Sequence, residues 1–396
     1  MLEQVKPRLA QRIINALSRV TSSGNFIPVI DGMRFVAITS VFLYHLLGYV
    51  IAKSPVVFIE SRMESLFGSA LDRGCFGVHL FFVISGFIIV LPFAAHHLEA
   101  KPAVTLKQYF FRRITRLEPP YIICMCIMFA LNLLVRKDLF AEQFPHLLAS
   151  LFYLHNFIFH QLSTVNGVAW SLEVEIQFYI LAPLIAGIFA VSNKLLRRGI
   201  LLSLMALACL WQPYVRAWDL SDNVGGFLHF FLTGFLIADI YIADWKRSPK
   251  IWWGMDLIGI IACAGLYRLT RDLHYVYYNP IGAMVACVAI TFIFYGAFRG
   301  RLFNRILTNR WIVVIGGMCY TIYLYHYQLI SFLGRLTIHA ALTRHLWVNV
   351  MLQLSLMALA ILAATSLIFI VLEKPFMRKD WPRRFAAWVQ QLRGTS

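Results

Sequence analysis

An all-α bundle of about ten membrane-spanning helices, with both chain ends on the cytoplasmic side, is the fold class that the sequence predicts, and three observations carry it. Of 396 residues, 60% are hydrophobic and only 14% charged, against roughly 25% charged in soluble proteins. The apolar residues form continuous runs of about 20, enough to cross the hydrocarbon core as a helix, and lack the alternation of a membrane β-barrel. The 36 Lys and Arg outnumber 19 Asp and Glu, for a formal charge of +17, and they gather between the runs, where basic residues report topology. Soluble enzymes, nucleic-acid-binding modules and disulfide scaffolds are excluded.

The elements follow in order. Residues 1–26 lack a signal-peptide core, but Leu9, Ile13, Leu17 and Val20 recur at helical spacing among Lys6, Arg8, Arg12 and Arg19, which predicts a cytoplasmic amphipathic segment lying on the membrane surface. Spans are expected at about 30–52, 76–93, 118–135, 172–191, 199–215, 226–243, 251–267, 280–298, 311–333 and 347–371. Residues 145–160 are apolar but short and carry His146, His155, Asn156 and His160, so they are read as interfacial or re-entrant. With that assignment 25 Lys and Arg fall inside and 10 outside, a bias that sets both termini inside. The membrane domain runs over 27–377, and residues 378–396 form a basic cytoplasmic tail. The seven cysteines sit mostly within apolar runs and read as small buried hydrophobes. No internal repeat of the kind found in secondary transporters is visible.

Ionisable groups in hydrocarbon are costly and mark function. Arg34 and His45 are eleven residues apart, so they share one helical face and lie about 16 Å apart along the axis. His326 lies about as deep in its span as His45 does, and Glu175, His79 and His229 lie near the outer ends of theirs. A carboxylate and an imidazole at one depth suit proton chemistry. Their origin on five helices, without His-x-x-x-His spacing, predicts no metal. On the cytoplasmic side Arg113 and Arg116 share a helical face just before Pro119, Pro120 and Tyr121, and grouped guanidinium groups suit phosphate.

These residues fall into ordered motifs. Asp31-Gly32-Met33-Arg34 precedes His45 by ten residues, and the run from Gly77 to Phe87 contains Ser85-Gly86. Arg113-Ile114-Thr115-Arg116 leads to Pro119-Pro120-Tyr121. Trp170-Ser171-Leu172-Glu173-Val174-Glu175 continues to Tyr179; Tyr320 to His326 and Glu373-Lys374-Pro375 follow. With these motifs the chain resembles the acyltransferase 3 family of bacterial membrane O-acyltransferases over residues 27 to 377. It departs from the family pattern at Ile176, where a second Glu often follows the one matching Glu175, and at Gln328, where Pro is common. The extracytoplasmic esterase-like domain that some members append is not expected here.

The resemblance implies an EC 2.3.1 acyltransferase of the bacterial cytoplasmic membrane. It would move an acyl group, most often acetyl, from cytoplasmic acyl-coenzyme A to a hydroxyl of a glycan or lipid-linked saccharide at the outer face. The expected roles are coenzyme A binding by Arg34, Arg113 and Arg116 and general-base catalysis by His45, with Glu175 orienting its imidazole. Trp170, Tyr179, His326 and His79 are expected on the acceptor side, with no metal and no nucleic acid. A covalent acyl-His45 intermediate stays open as alternative chemistry. A proton-coupled transporter or flippase of an anionic substrate would use the same buried charges, and a scaffold in a glycan-assembly complex would need none of them.

Overall fold

The computed structural model describes residues 9–20, 26–59, 66–217, 222–378, 380–382, 384 and 390. Much of the expected basic tail, and residues 1–8 and 21–25 of the amphipathic segment, lie outside them. Among the described residues there is no strand.

The chain opens with α1 (Leu9–Leu17), whose Leu9 and Ile13 are exposed. Pro28, pre-set for a first helical turn, starts α2 (Pro28–Lys53). The short α3 (Leu66–Asp72) leads through a 3-10 turn into α4 (Gly77–Glu99), followed by α5 (Leu106–Leu131). Residues 145–160 fall in α6 (Phe140–Leu151) and α7 (His155–Phe159), both too short to cross a bilayer. Next come α8 (Trp170–Ile185), α9 (Lys194–Ala217) and α10 (Val224–Ile240), then α11 (Trp253–Leu269), α12 (Leu273–Tyr278) and α13 (Pro280–Arg299). The chain continues through α14 (Arg301–Leu307), α15 (Arg310–Gly317), α16 (Cys319–Thr337) and α17 (Leu346–Ile368).

Eight helices among the described residues are long and apolar enough to cross a membrane, built around α2, α4, α5, α8, α9, α10, α13 and α17. The other two expected spans are helical but differ in form. α11 has 17 residues, and the 311–333 stretch is interrupted at Met318, between α15 and α16. The interruption has a steric setting: a Cβ on Gly316 would lie 1.8 Å from the carbonyl oxygen of Asp31, and one on Gly32 would lie 2.1 Å from that of Leu307. Glycine therefore lets the start of α2 sit directly against α14 and α15.

Helices α4 and α10 form the centre. Gly86 faces the carbonyl of Phe231 and Gly234 that of Val83, each leaving 2.2 Å for a hypothetical Cβ, the close backbone approach that small residues permit in membranes. The two helices run parallel, since Gly86 meets Phe231 and Glu99 pairs with Lys246. Helix α2 is antiparallel to α4, because Gly74 packs on Ser40 and Gly77 on Ala37. Helix α9 returns along α10, its Lys194 and Arg198 bonded to Asp244. Thus the start of α2, the end of α4 and the start of α9 lie at one end of the bundle. The fully buried Arg197 bonds Asp239 there at 2.5 Å, a charge retained inside because it is paired.

Candidate active site

A cleft of about 1000 Å³, including its open mouth, enters the bundle beside the start of α2. Four arginines line it: Arg19, Arg34, Arg113 and Arg116. Asp31, fully buried in the first turn of α2, accepts from Arg34 Nη1 at 2.8 Å and from Arg19 Nε at 2.7 Å. A carboxylate at this position also complements the positive end of the helix. Arg19 was absent from the residues expected at the site. It arrives because Lys374 Nζ donates to the carbonyls of Asn15 and Ala16 at the end of α1, while the neighbouring Glu373 accepts from the backbone and hydroxyl of Thr321. The Glu-Lys-Pro motif thereby joins α1, α16 and the end of the α17 segment around the cleft.

Arg113 and Arg116 project from α5, which continues through Pro119 and Pro120. Proline at 119 cannot donate to the carbonyl of Thr115, and the Trp381 indole does so instead at 2.9 Å. The Arg113 guanidinium lies 5.2 Å from the Tyr179 ring centre and 5.8 Å from that of Tyr109. Among the described residues no carboxylate is within salt-bridge distance of Arg113 or Arg116. Both are therefore cations available to an anionic ligand.

Further in, Glu175 lines the cleft and accepts hydrogen bonds at Oε1 from Ser85 and Tyr179. The preceding carboxylate of the motif, Glu173, faces away and takes the backbone N–H of Asn156 at 3.0 Å, fixing α7 to α8. Tyr323 also lines the inner end, its hydroxyl 2.6 Å from Ser171 and donating to the Val168 carbonyl. Glu175 and His45 occupy different neighbourhoods: His45 is not part of the cleft lining, and its ring lies 5.1 Å from His326, 5.1 Å from Tyr44 and 5.2 Å from Tyr327.

His326 is fully buried, and its Nδ1 meets the Tyr323 carbonyl at 2.7 Å. A carbonyl only accepts, so Nδ1 carries the proton and Nε2 holds a lone pair; that Nε2 is buried without a hydrogen-bond partner. The ring lies 5.8 Å from Tyr323, one side chain behind the cleft. Gln328, at the position where the family pattern often has Pro, donates to Asn166 at 2.8 Å. Trp170 and His79 stand apart from this pair: Trp170 packs on Phe82 and Phe227, and His79 stacks on Phe76. No cluster of three or more metal-ligating residues occurs among the described residues.

Comparison with known proteins places this geometry in a family. The model of the acyltransferase domain matches residues 27–371. O-acetyltransferase OatA of Staphylococcus aureus (strain NCTC 8325 / PS 47) is 25% identical over 359 residues, covering 85% of this chain and 56% of the relative. Peptidoglycan O-acetyltransferase OatA of Listeria monocytogenes is 29% identical over 213 residues, 50% of this chain and 31% of the relative. The chain thus spans about half the length of the S. aureus relative it matches. No solved structure matches. The match covers most of the bundle and includes the cleft arginines from Arg34 onward, Glu175, and the His45 and His326 pair: the chain belongs to the acyltransferase 3 family.

Proposed function

We propose that the protein is an O-acyltransferase of the bacterial cytoplasmic membrane, with both termini inside, that transfers an acyl group, acetyl in the leading case, from acyl-coenzyme A to a hydroxyl of a glycan or lipid-linked saccharide. The observation that carries this reading is the cleft in which Arg113 and Arg116 stand without a carboxylate partner among the described residues, beside the Arg19–Asp31–Arg34 cluster. Guanidinium groups in fixed positions bind phosphate oxygens by paired N–H donation, and the cleft gives an acyl-pantetheine arm a route toward Glu175 and Tyr323.

His45, which lies outside the cleft lining beyond Tyr323 and His326, serves as the general base from the acceptor side. It removes the acceptor hydroxyl proton as that oxygen attacks the thioester carbon, the C–S bond breaks, and the proton passes to the leaving thiolate. The Nε2 lone pair of His326, on the neighbouring ring, and Tyr44 hold the surroundings of that imidazole polar. Glu175, clamped by Ser85 and Tyr179, supplies negative charge at the inner end of the donor cleft. Trp170 bounds the acceptor side, whereas Tyr179, expected there from the resemblance, lines the donor cleft beside Arg113. Acetyl transfer of this kind proceeds without a metal.

The test is titration of coenzyme A and acetyl-coenzyme A into the detergent-purified chain, together with transfer of labelled acetyl to membrane glycans. Binding that disappears in Arg113→Ala and Arg116→Ala, and labelled glycan in the presence of the parent protein, support the reading. Absence of donor binding overturns it.

A further inference from the structure

At the bundle end opposite the donor arginines, a second cation stands in an unusual setting. Arg216 lies 22 residues, about 33 Å of helix, beyond Lys194 in α9. Its guanidinium carbon is 4.4 Å from the Tyr277 ring centre, 5.3 Å from Phe227 and 5.7 Å from Tyr278. Its Nε and Nη2 are buried without a hydrogen-bond partner among the described residues; Tyr278 lies within hydrogen-bonding reach of the guanidinium and Asp222 within electrostatic reach, although no carboxylate among the described residues lies within salt-bridge distance. Beside it are His79, 2% exposed, and His229, fully buried, both within electrostatic reach of Arg216. Neither ring nitrogen of His229 has a partner among the described residues, and the His79 ring, with no well-formed hydrogen bond, lies beside the Phe76 backbone.

Buried polar atoms of Arg216, His79 and His229 with unmet hydrogen-bonding capacity in one neighbourhood call for an occupant, since buried polar groups in proteins are almost always hydrogen-bonded. The pattern defines the chemistry. Nε–H and Nη2–H lie along the same edge of the guanidinium plane, the edge that meets two oxygens of a planar carboxylate at once. Each neutral imidazole offers one donor and one acceptor, which matches hydroxyl groups. The rings of Tyr277 and Phe227 supply flat apolar faces. Phe227 also packs on Trp170 at 5.5 Å and on Phe82 at 5.1 Å, and Phe82 lines the donor cleft, so one aromatic layer separates the two regions.

We infer that Arg216, His79 and His229 form a binding site for the acidic group of the acceptor, a carboxylate-bearing saccharide, whose charge docks on the free edge of Arg216 while its hydroxyls meet the imidazoles. The inference rests on the O-acyltransferase reading and names the substrate class for it.

The detergent-purified full chain is probed by saturation-transfer NMR with glucuronate, glucuronate methyl ester and inorganic phosphate, and by acetyl transfer from labelled acetyl-coenzyme A to an oligosaccharide of glucuronate and to its methyl-esterified form. Glucuronate should bind and its methyl ester should not. Arg216→Gln should raise the KM for the acidic oligosaccharide at least tenfold while leaving coenzyme A affinity within twofold of the parent, and Arg216→Lys, which keeps the charge but loses the two-toothed edge, should recover part of the loss. Equal handling of acid and ester by the parent, phosphate binding in place of glucuronate, or an unchanged KM in both Arg216 variants would overturn the assignment while leaving the acyltransferase reading intact. Glucuronate binding that requires Arg216 in a protein that binds no coenzyme A would keep the site and remove that reading.

Discussion

Replacing Arg113 by Ala separates donor binding from folding. Arg113 has no carboxylate partner among the described residues and rests on the faces of Tyr109 and Tyr179, so its removal strands no opposite charge. A hydrogen bond to a charged group contributes about 1.5–3 kcal/mol, so losing one phosphate contact should weaken coenzyme A binding about 10- to 150-fold, at roughly 1.4 kcal/mol per tenfold. Arg34 behaves differently. Its Nη1 is committed to Asp31, which is 1% exposed, while the Arg34 side chain is 17% exposed. Removing one partner of a buried pair costs about 3–5 kcal/mol, but Asp31 keeps its bond to Arg19 at 2.7 Å, so Arg34→Ala should cost less stability than that while also weakening coenzyme A binding. The assay is calorimetric titration of coenzyme A into each variant, with monodispersity in detergent as the control for folding. Arg113→Lys should recover only part of the affinity, because an ammonium is a point charge. Arg113→Ala binding coenzyme A within twofold of the parent would refute the assignment.

Other consequences are equally direct. Glu175→Gln keeps an oxygen for the hydroxyls of Ser85 and Tyr179 but loses the charge, so transfer should fall to a rate between the parent and His45→Gln, measured with labelled acetyl-coenzyme A. Lys374→Ala frees the end of α1 and with it Arg19; coenzyme A affinity should drop while Arg113 is intact, and the double variant Lys374→Ala/Arg19→Ala should bind no more weakly than Arg19→Ala alone. Gly86→Val forces a Cβ toward the Phe231 carbonyl, where 2.2 Å is available, and overpacking of about 1–3 kcal/mol should lower the thermal midpoint in detergent.

Much of this arrangement is legible in the residues. Arg34, Arg113 and Arg116 are expected together on the cytoplasmic side and line one cleft; Glu175, expected in the outer layer beside His45, lines that same cleft and not the surroundings of His45. Glu175 lies in the cleft while Glu173, for which no role is expected from the sequence, anchors α7. Depth along a helix gives height but not direction around the bundle, and this explains the separations: His45 and His326 meet, whereas His79 at the outer end of its helix faces Phe76 and the Arg216 region. The same limit hid the surroundings of Glu175, which turns to Ser85 and Tyr179. Arg19 looked like a basic residue on an amphipathic segment; only the long-range bonds from Lys374 to the end of α1, and from Arg19 to Asp31, bring it into the cleft. The break at Met318 adjoins the close backbone approach of Gly316 to Asp31, a tertiary feature without a periodic signature.

The central claim is that a donor held by arginines is discharged onto an acceptor hydroxyl deprotonated by His45. Its most direct test measures two quantities in one His45→Gln preparation: the Kd for coenzyme A and the rate of labelled acetyl transfer to acceptor. The account predicts a Kd within twofold of the parent and a transfer rate lower by about 10² to 10⁴, with His326→Gln less affected. Parental transfer in His45→Gln would contradict it, and an inactive His326→Gln in the same experiment would assign the base to α16.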